Sequence, residues 1–141
     1  MSAIILDSSV ALSWVLPDEL TASTQTIRAS IEAGDRTIVP SHWALEIANA
    51  LWAAERRRRI TQPDTTAALA ALEKLSMESD TETARRAGRE TLALARQNAL
   101  SVYDAAYLEL AIRQGAVLAS LDGPLRTAAK KLNVPLLPEN I

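Results

Sequence analysis

The chain reads as an α/β fold of three layers, with a central, mostly parallel sheet of about four to five short strands flanked by helices. Three observations predict it. Short runs rich in Ile, Val and Leu, such as Ala3–Leu6, have the length of buried strands. Longer segments between them carry apolar residues three and four positions apart, the spacing of an amphipathic helix. The two kinds of segment alternate, which places parallel strands beneath covering helices.

Taken in order, Ala3 to Leu6 is the first strand, followed directly by Asp7. Ser8 to Leu16 reads as a short helix ended by Pro17. Asp18 to Ala33 is a second helix, with Leu20, Ile27 and Ile31 on one side and Gly34 as its stop. Thr37 to Val39 is the second strand. Ser41 is the expected N-cap of a long helix to about Arg58. Its core face is Trp43, Ile47, Ala50, Leu51 and Ala54. Gln62 to Leu75 is a fourth helix with Leu69, Leu72 and Leu75 inward, and Leu75 to Glu78 is a short strand. Thr81 to about Gln97 reads as one helix carrying Arg85, Arg86, Arg89 and Arg96.

Ser101-Val-Tyr-Asp104 has the spacing of a capping box, with Asp in place of Glu. The helix it opens turns Tyr103, Tyr107, Leu108, Ala111 and Ile112 inward and stops at Gly115. Ala116 to Leu121 is a buried strand, Pro124 opens a helix to Leu132, and Val134 to Leu137 is the last strand.

Composition bounds what this fold can do. The 141 residues suit a single domain over 1–141, and 48% hydrophobic with 23% charged residues is an ordinary globular balance. No Cys is present, which excludes disulfides and thiolate chemistry and fits a reducing cytoplasm. The net charge of −2 predicts no bulk attraction to nucleic acid, so such binding would need a local patch such as Arg56, Arg57, Arg58 and Arg59. No apolar run reaches the roughly 20 residues of a membrane span, and the first residues lack the basic region of a signal peptide.

The informative residues are four acids. Asp7 and Asp122 each follow a strand, Glu46 lies in the helix after the second strand, and Asp104 opens the helix leading into another. Ligands of an open parallel sheet bind beyond the carboxyl ends of its strands, so all four can reach one rim. At about 5 Å and an effective dielectric near 20, each pair repels by roughly 3 kcal/mol. Such a cluster takes up protons or binds a cation. With oxygen as the only donor, a hard divalent ion is indicated, and Mg²⁺ with phosphate oxygens suits phosphodiester hydrolysis.

The segments IILDSSVALSW at 4–14, HWALEIANAL at 42–51, SVYDAAYLELA at 101–111 and LASLDGPL at 118–125 resemble the motifs of a PIN domain. More narrowly, they resemble VapC-like toxin ribonucleases of bacterial toxin–antitoxin pairs. The resemblance spans nearly the whole chain and implies a PIN-like fold. It matches Asp7, Glu46, Asp104 and Asp122 to an acidic quartet, with Ser120 and Asn49 as supporting polar residues. It implies a Mg²⁺- or Mn²⁺-dependent endoribonuclease, inhibited by a cognate antitoxin protein and usually a homodimer. Asp7 and Asp104, with Glu46 or Asp122, would hold the metal, and in-line attack by water would leave a 5′-phosphate. Early helices would form the antitoxin groove, so some of Trp14, Leu16, Leu20, Ile27, Leu51 and Trp52 would be exposed anchors rather than core.

Each residue also has a plainer reading. Asp7 and Asp122 suit a helix cap and a turn, and Asp104 suits a helix start favoured by the macrodipole. Ser8 is a helix cap or, less directly, a contact to metal-held water. Glu109 reads as a surface acid and His42 as a structural residue without a partner. The arginines at 56–59 suit a solvated helix end. Two other functions compete. A catalytically degenerate protein-binding module would keep the fold without the acids' role. Another α/β hydrolase would use Asp7 as nucleophile. Haloacid-dehalogenase-like enzymes would carry a second Asp where Ser9 stands.

Overall fold

The computed structural model describes residues 3–141. Five strands form one sheet: β1 (Ile4–Leu6), β2 (Thr37–Val39), β3 (Glu78–Ser79), β4 (Val117–Ala119) and β5 (Leu136–Leu137). Their order is β3-β2-β1-β4-β5, and every pairing is parallel, as the alternating pattern requires. Ile4 lies opposite Thr37 on one side and Val117 on the other. Ile5 and Leu6 point to opposite faces of the sheet, and both are fully buried. Both faces are therefore covered by helices.

The helices are α1 (Ser8–Ser13), α2 (Ala22–Glu32), α3 (Trp43–Arg56), α4 (Gln62–Glu73), α5 (Thr83–Arg86), α6 (Leu92–Asn98), α7 (Val102–Gln114) and α8 (Gly123–Lys131). No helix among the described residues is long and apolar enough to cross a membrane. The central helix is α7, which packs on β1 and β4. Seven successive residues, Ala105 to Ala111, are buried in it. Gly115 stops it in the left-handed region at φ +58°, where a side chain would be strained.

Several local expectations are corrected. Ser41 does not cap α3; its N–H donates to the Thr83 hydroxyl, and His42 takes the N-cap position without a side-chain cap. The second helix starts at Ala22, because Thr21 and Thr24 cap it reciprocally. The third strand lies at Glu78–Ser79, later than the 75–78 predicted from the apolar residues. The 81–97 helix is three pieces, with a π-helical segment at Ala87–Thr91 and non-helical dihedrals at Arg89.

Tyr103 and Ile112 were expected inward and are exposed, Ala50 is only half-buried, and Leu20 and Trp52, read as core or as exposed anchors, are exposed. Tyr103 and Ile112 sit near the two ends of α7, beyond the part that the other layers cover. Glu109, expected at the surface, is buried. Periodicity alone does not reveal its partners. Arg113 donates to it through Nε (2.9 Å) and Nη2 (3.0 Å), and Arg86 lies 3.6 Å away. The same guanidinium grips Asp80, just past β3, with two bonds of 3.1 and 2.7 Å. Burial alone would raise the Asp80 carboxyl, but Arg113 and the Thr83 hydroxyl hold it below its ordinary value. This network ties the edge strand to the central helix.

Truncating Arg113 removes the guanidinium that pairs with Asp80 and leaves the buried Glu109 with Arg86 alone. Arg113→Met is expected to cost about 3–5 kcal/mol of stability, measured by urea unfolding at neutral pH. A loss below about 1 kcal/mol would show that the network is dispensable.

Candidate active site

The strand order turns around between β1 and β4, so the crevice beyond their carboxyl ends is the topological switch point. Asp7 stands there directly after β1. Its N–H donates to Ala119 O at 2.9 Å, extending the ladder and fixing where the carboxylate starts. Although Asp7 occupies the N-cap position of α1, its side chain makes no cap bond. It is almost fully buried. Its Oδ2 accepts hydrogen bonds from the hydroxyls of Ser9 and Ser120, both at 2.7 Å. Its Oδ1 carries no hydrogen bond among the described residues.

Ser120 links β1 to the loop after β4. Its Oγ also accepts from the N–H of Asp122 (3.1 Å), while Ser9 Oγ accepts from the N–H of Leu121 (2.9 Å). The buried Arg126 donates to Ser120 O at 2.9 Å and holds the same loop from α8. Asp122 uses Oδ2 to cap α8 through Leu125 N–H (2.9 Å), so the turn reading of this residue holds for one oxygen. Ser101 caps α7 through the Asp104 N–H (3.1 Å). The reciprocal arm of a capping box is not made, which leaves the Asp104 side chain free of the backbone.

Glu46 lies in the first turn of α3 and accepts a short hydrogen bond from the phenol of Tyr107 at Oε1. His42, one turn earlier on the same helix, places Nε2 3.5 Å from that oxygen. The His42 ring meets Tyr107 edge-on at 5.5 Å and Tyr103 at 5.8 Å. His42 is therefore part of the site's wall, contrary to the isolated structural role expected of it. Its i, i+4 spacing from Glu46 was a readable signal. The same spacing logic applies to Tyr107, three residues after Asp104. Ser9, two residues after Asp7, is a second hydroxyl overlooked in the sequence.

The acids disturb one another. Burial raises Asp7 to about 6 against the relief of its two serine hydrogen bonds, and the charges of Glu46 and Asp104 push further upward. Burial also raises Glu46, opposed by Tyr107 and reinforced by Asp104. For Asp104 burial is again the largest cause, followed by the charge of Asp122. Burial pushes His42 below its ordinary value. These couplings bring all four acids into one electrostatic neighbourhood.

The donor chemistry fits a hard cation: oxygen donors, mutual repulsion, and a second oxygen left without a partner on Asp7, Glu46 and Asp122. Among the described residues, however, no three His, Asp or Glu side chains are grouped closely enough to hold an ion in this arrangement.

Of the other residues singled out in the sequence, Ser8 is the first residue of α1 and not its cap, a position that Asp7 takes. Asn49 is exposed on α3 and makes no side-chain hydrogen bond among the described residues. Arg56 to Arg59 are all exposed at the end of α3; Arg56 stacks over Trp52, and Arg59 pairs with Glu19 at 3.2 Å.

A five-stranded parallel sheet with coupled carboxylates at its switch point defines an α/β acid-site protein. The PIN-domain family profile matches residues 4–131, and the chain belongs to that family. A comparison with curated proteins finds no match. Among solved structures, PAE2754 from Pyrobaculum aerophilum aligns with a TM-score of 0.71 at 20% identity, over 97% of this chain and 85% of that one. VapBC2 from Rickettsia felis, bound to a DNA fragment from its promoter, aligns at 0.64 and 14%, over 95% and 96%. VapC20 from Mycobacterium tuberculosis, described as a sarcin-ricin loop cleaving toxin, aligns at 0.62 and 19%, over 89% and 95%. At these identities the likeness is one of fold.

A carboxyl whose folded pKa is raised stabilises the fold fully below about pH 3.8. That contribution is lost as the pH rises through about 6. The shift of about two units corresponds to roughly 3 kcal/mol. Asn at this position can still accept the two serine hydrogen bonds. Asp7→Asn is therefore expected to be more stable than the natural protein at pH 7.5 in EDTA, with the advantage vanishing near pH 4. Urea unfolding across this range checks it; parallel pH profiles for the two proteins would refute it.

Proposed function

We propose that this chain is a divalent-metal-dependent endoribonuclease acting as the toxin of a toxin–antitoxin pair. The observation that carries the reading is the division of labour within the acids. Asp7, Glu46 and Asp122 each commit one oxygen to a scaffold hydroxyl or amide and leave the other without a partner, beside Asp104 at the sheet's switch point. None of these free oxygens is sealed from solvent, so an ion could reach each of them. Membership of the PIN-domain family supports a nuclease. The names of VapBC2 and VapC20, together with FitAcB from Neisseria gonorrhoeae, which aligns at a TM-score of 0.65 and 14% identity over 98% of this chain and 99% of that one, support the toxin reading.

Asp7 and Asp104, with Glu46 and Asp122 beside them, would hold Mg²⁺ or Mn²⁺. When bound, such an ion lowers the pKa of water and neutralises charge on a phosphoryl group. The residues contribute the rest. Ser9 and Ser120 keep the Asp7 carboxylate in one orientation, and Ser120 ties that orientation to the Asp122 loop. Asp7, raised to about 6 by burial, remains partly protonated near that pH without a counter-charge. Cleavage is therefore expected to fall as the pH drops below about 6. The exposed Arg56, Arg57 and Arg58 are candidates for holding RNA phosphates. A shallow groove lined by Val15, Leu16, Leu20, Ile60 and Ala67 is the expected seat of a cognate antitoxin. The chain is expected to act in the cytoplasm as a homodimer.

The test is incubation of purified, antitoxin-free protein with RNA and Mn²⁺ or Mg²⁺. Cleavage is expected to require the metal, to stop in EDTA, and to fall at least 100-fold in Asp7→Asn and Asp104→Asn. Cutting that survives EDTA or both substitutions would overturn the mechanism. A folded protein that neither cuts RNA nor binds Mn²⁺ would point instead to a degenerate protein-binding module.

A further inference from the structure

Tyr107 is the largest of the fully buried side chains, in the middle of α7. Its neighbours along the helix, Ala105, Ala106, Leu108 and Leu110, are buried and apolar. A Phe would fill such a place without bringing a polar group into the core. The phenol instead carries its hydroxyl to Glu46, 61 positions earlier in the chain and on a different helix. It donates its one proton to Oε1 and lies within reach of the Ser8 hydroxyl.

This contact singles out one oxygen of the carboxylate. Among the described residues, the other side chain paired with Glu46 is His42, and it approaches the same Oε1. Oε2 has no hydrogen bond among the described residues. A Glu side chain has three torsions and would otherwise turn freely about the last of them at a half-buried site. A hydrogen bond from a neutral donor to an ionised acceptor is among the stronger ones, and its donor here is fixed by complete burial.

We propose that Tyr107 is a positioning residue for the acid site: its phenol holds Glu46 by Oε1 and so dedicates Oε2 to a bound cation or to the reacting water. The proposal rests on the nuclease reading of the four acids. It differs from a packing role in one respect. If Tyr107 acts only through Glu46, its hydroxyl matters only while residue 46 is a glutamate.

The experiment measures Mn²⁺ binding by calorimetry, and RNA cleavage across a Mn²⁺ titration, for four proteins: natural, Tyr107→Phe, Glu46→Gln and the double variant. Circular-dichroism melts check folding. Tyr107→Phe is expected to weaken Mn²⁺ binding and lower kcat about tenfold, with KM for RNA unchanged within twofold. In the Glu46→Gln background, adding Tyr107→Phe is expected to change either quantity less than twofold. Tyr107→Phe that behaves as the natural protein overturns the proposal, as does an equal loss in both backgrounds. Should Tyr107→Phe fail to fold, Glu46→Asp serves in its place. It withdraws the carboxylate from the phenol by one methylene and leaves the core intact. It is expected to weaken Mn²⁺ binding about tenfold, and natural affinity in Glu46→Asp overturns the proposal. A natural protein that binds Mn²⁺ but cuts no RNA defeats the nuclease reading, while the calorimetric comparison still decides the role of Tyr107.

Discussion

A carboxylate held almost out of water at the end of the central strand is the constraint to which the rest of the molecule is fitted. β1 is three residues long, buried on both faces and paired on both sides. Asp7 follows without a break, so it inherits the strand's position and has no freedom to retreat to solvent. Burial of such a group is unfavourable in proportion to its charge. Two serine hydroxyls reduce that cost at one oxygen, and they come from different elements. Ser9 lies in α1 and Ser120 follows β4, so the same contacts that shelter Asp7 also lock the sheet's switch point.

The fold handles its other buried acids in the opposite way. Asp80 and Glu109 share a guanidinium, with a second arginine close by, and the edge of the sheet is pinned to α7 as a result. Charge is cancelled there, and the arrangement is complete as it stands. At the switch point no Lys or Arg faces the four acids in any ion pair among the described residues. Hydroxyls, a backbone amide and a phenol orient the carboxylates without neutralising them. Two clusters of acids in one small domain thus differ in kind. The first consolidates structure. The second keeps its charge available, which is what a site for a cation and a phosphodiester requires.

α7 connects the two clusters. Its first turn presents Asp104, its middle sends Tyr107 to Glu46, and its last turns carry Glu109 and Arg113 to Asp80. A helix buried through its middle from Ala105 to Ala111 suits this use, since a shift of either cluster would have to move through a packed core. The exposed Tyr103 and the half-buried His42 stand where this helix meets the site, and they form its only aromatic wall among the described contacts.

Sequence pattern alone was enough for the element order and the parallel sheet, and it singled out four acids. Each rests on local features: run length, 3.6-residue spacing, or an acid placed directly after a strand. The motifs also placed Ser120 near the site and supplied the family resemblance that the profile match bears out. What the pattern could not settle were matters decided between elements. Glu109 looked like a surface acid because its arginine partners lie partly on another helix. Tyr107 looked like core because its hydroxyl's acceptor is 61 residues away. Tyr103 and Ile112 looked inward because helical spacing marks a face but not how far the neighbouring layers reach. Composition and periodicity determine which segments must be buried. Only the packed chain decides which polar atoms meet inside it, because a hydrogen bond is settled within a few tenths of an ångström by elements far apart in sequence.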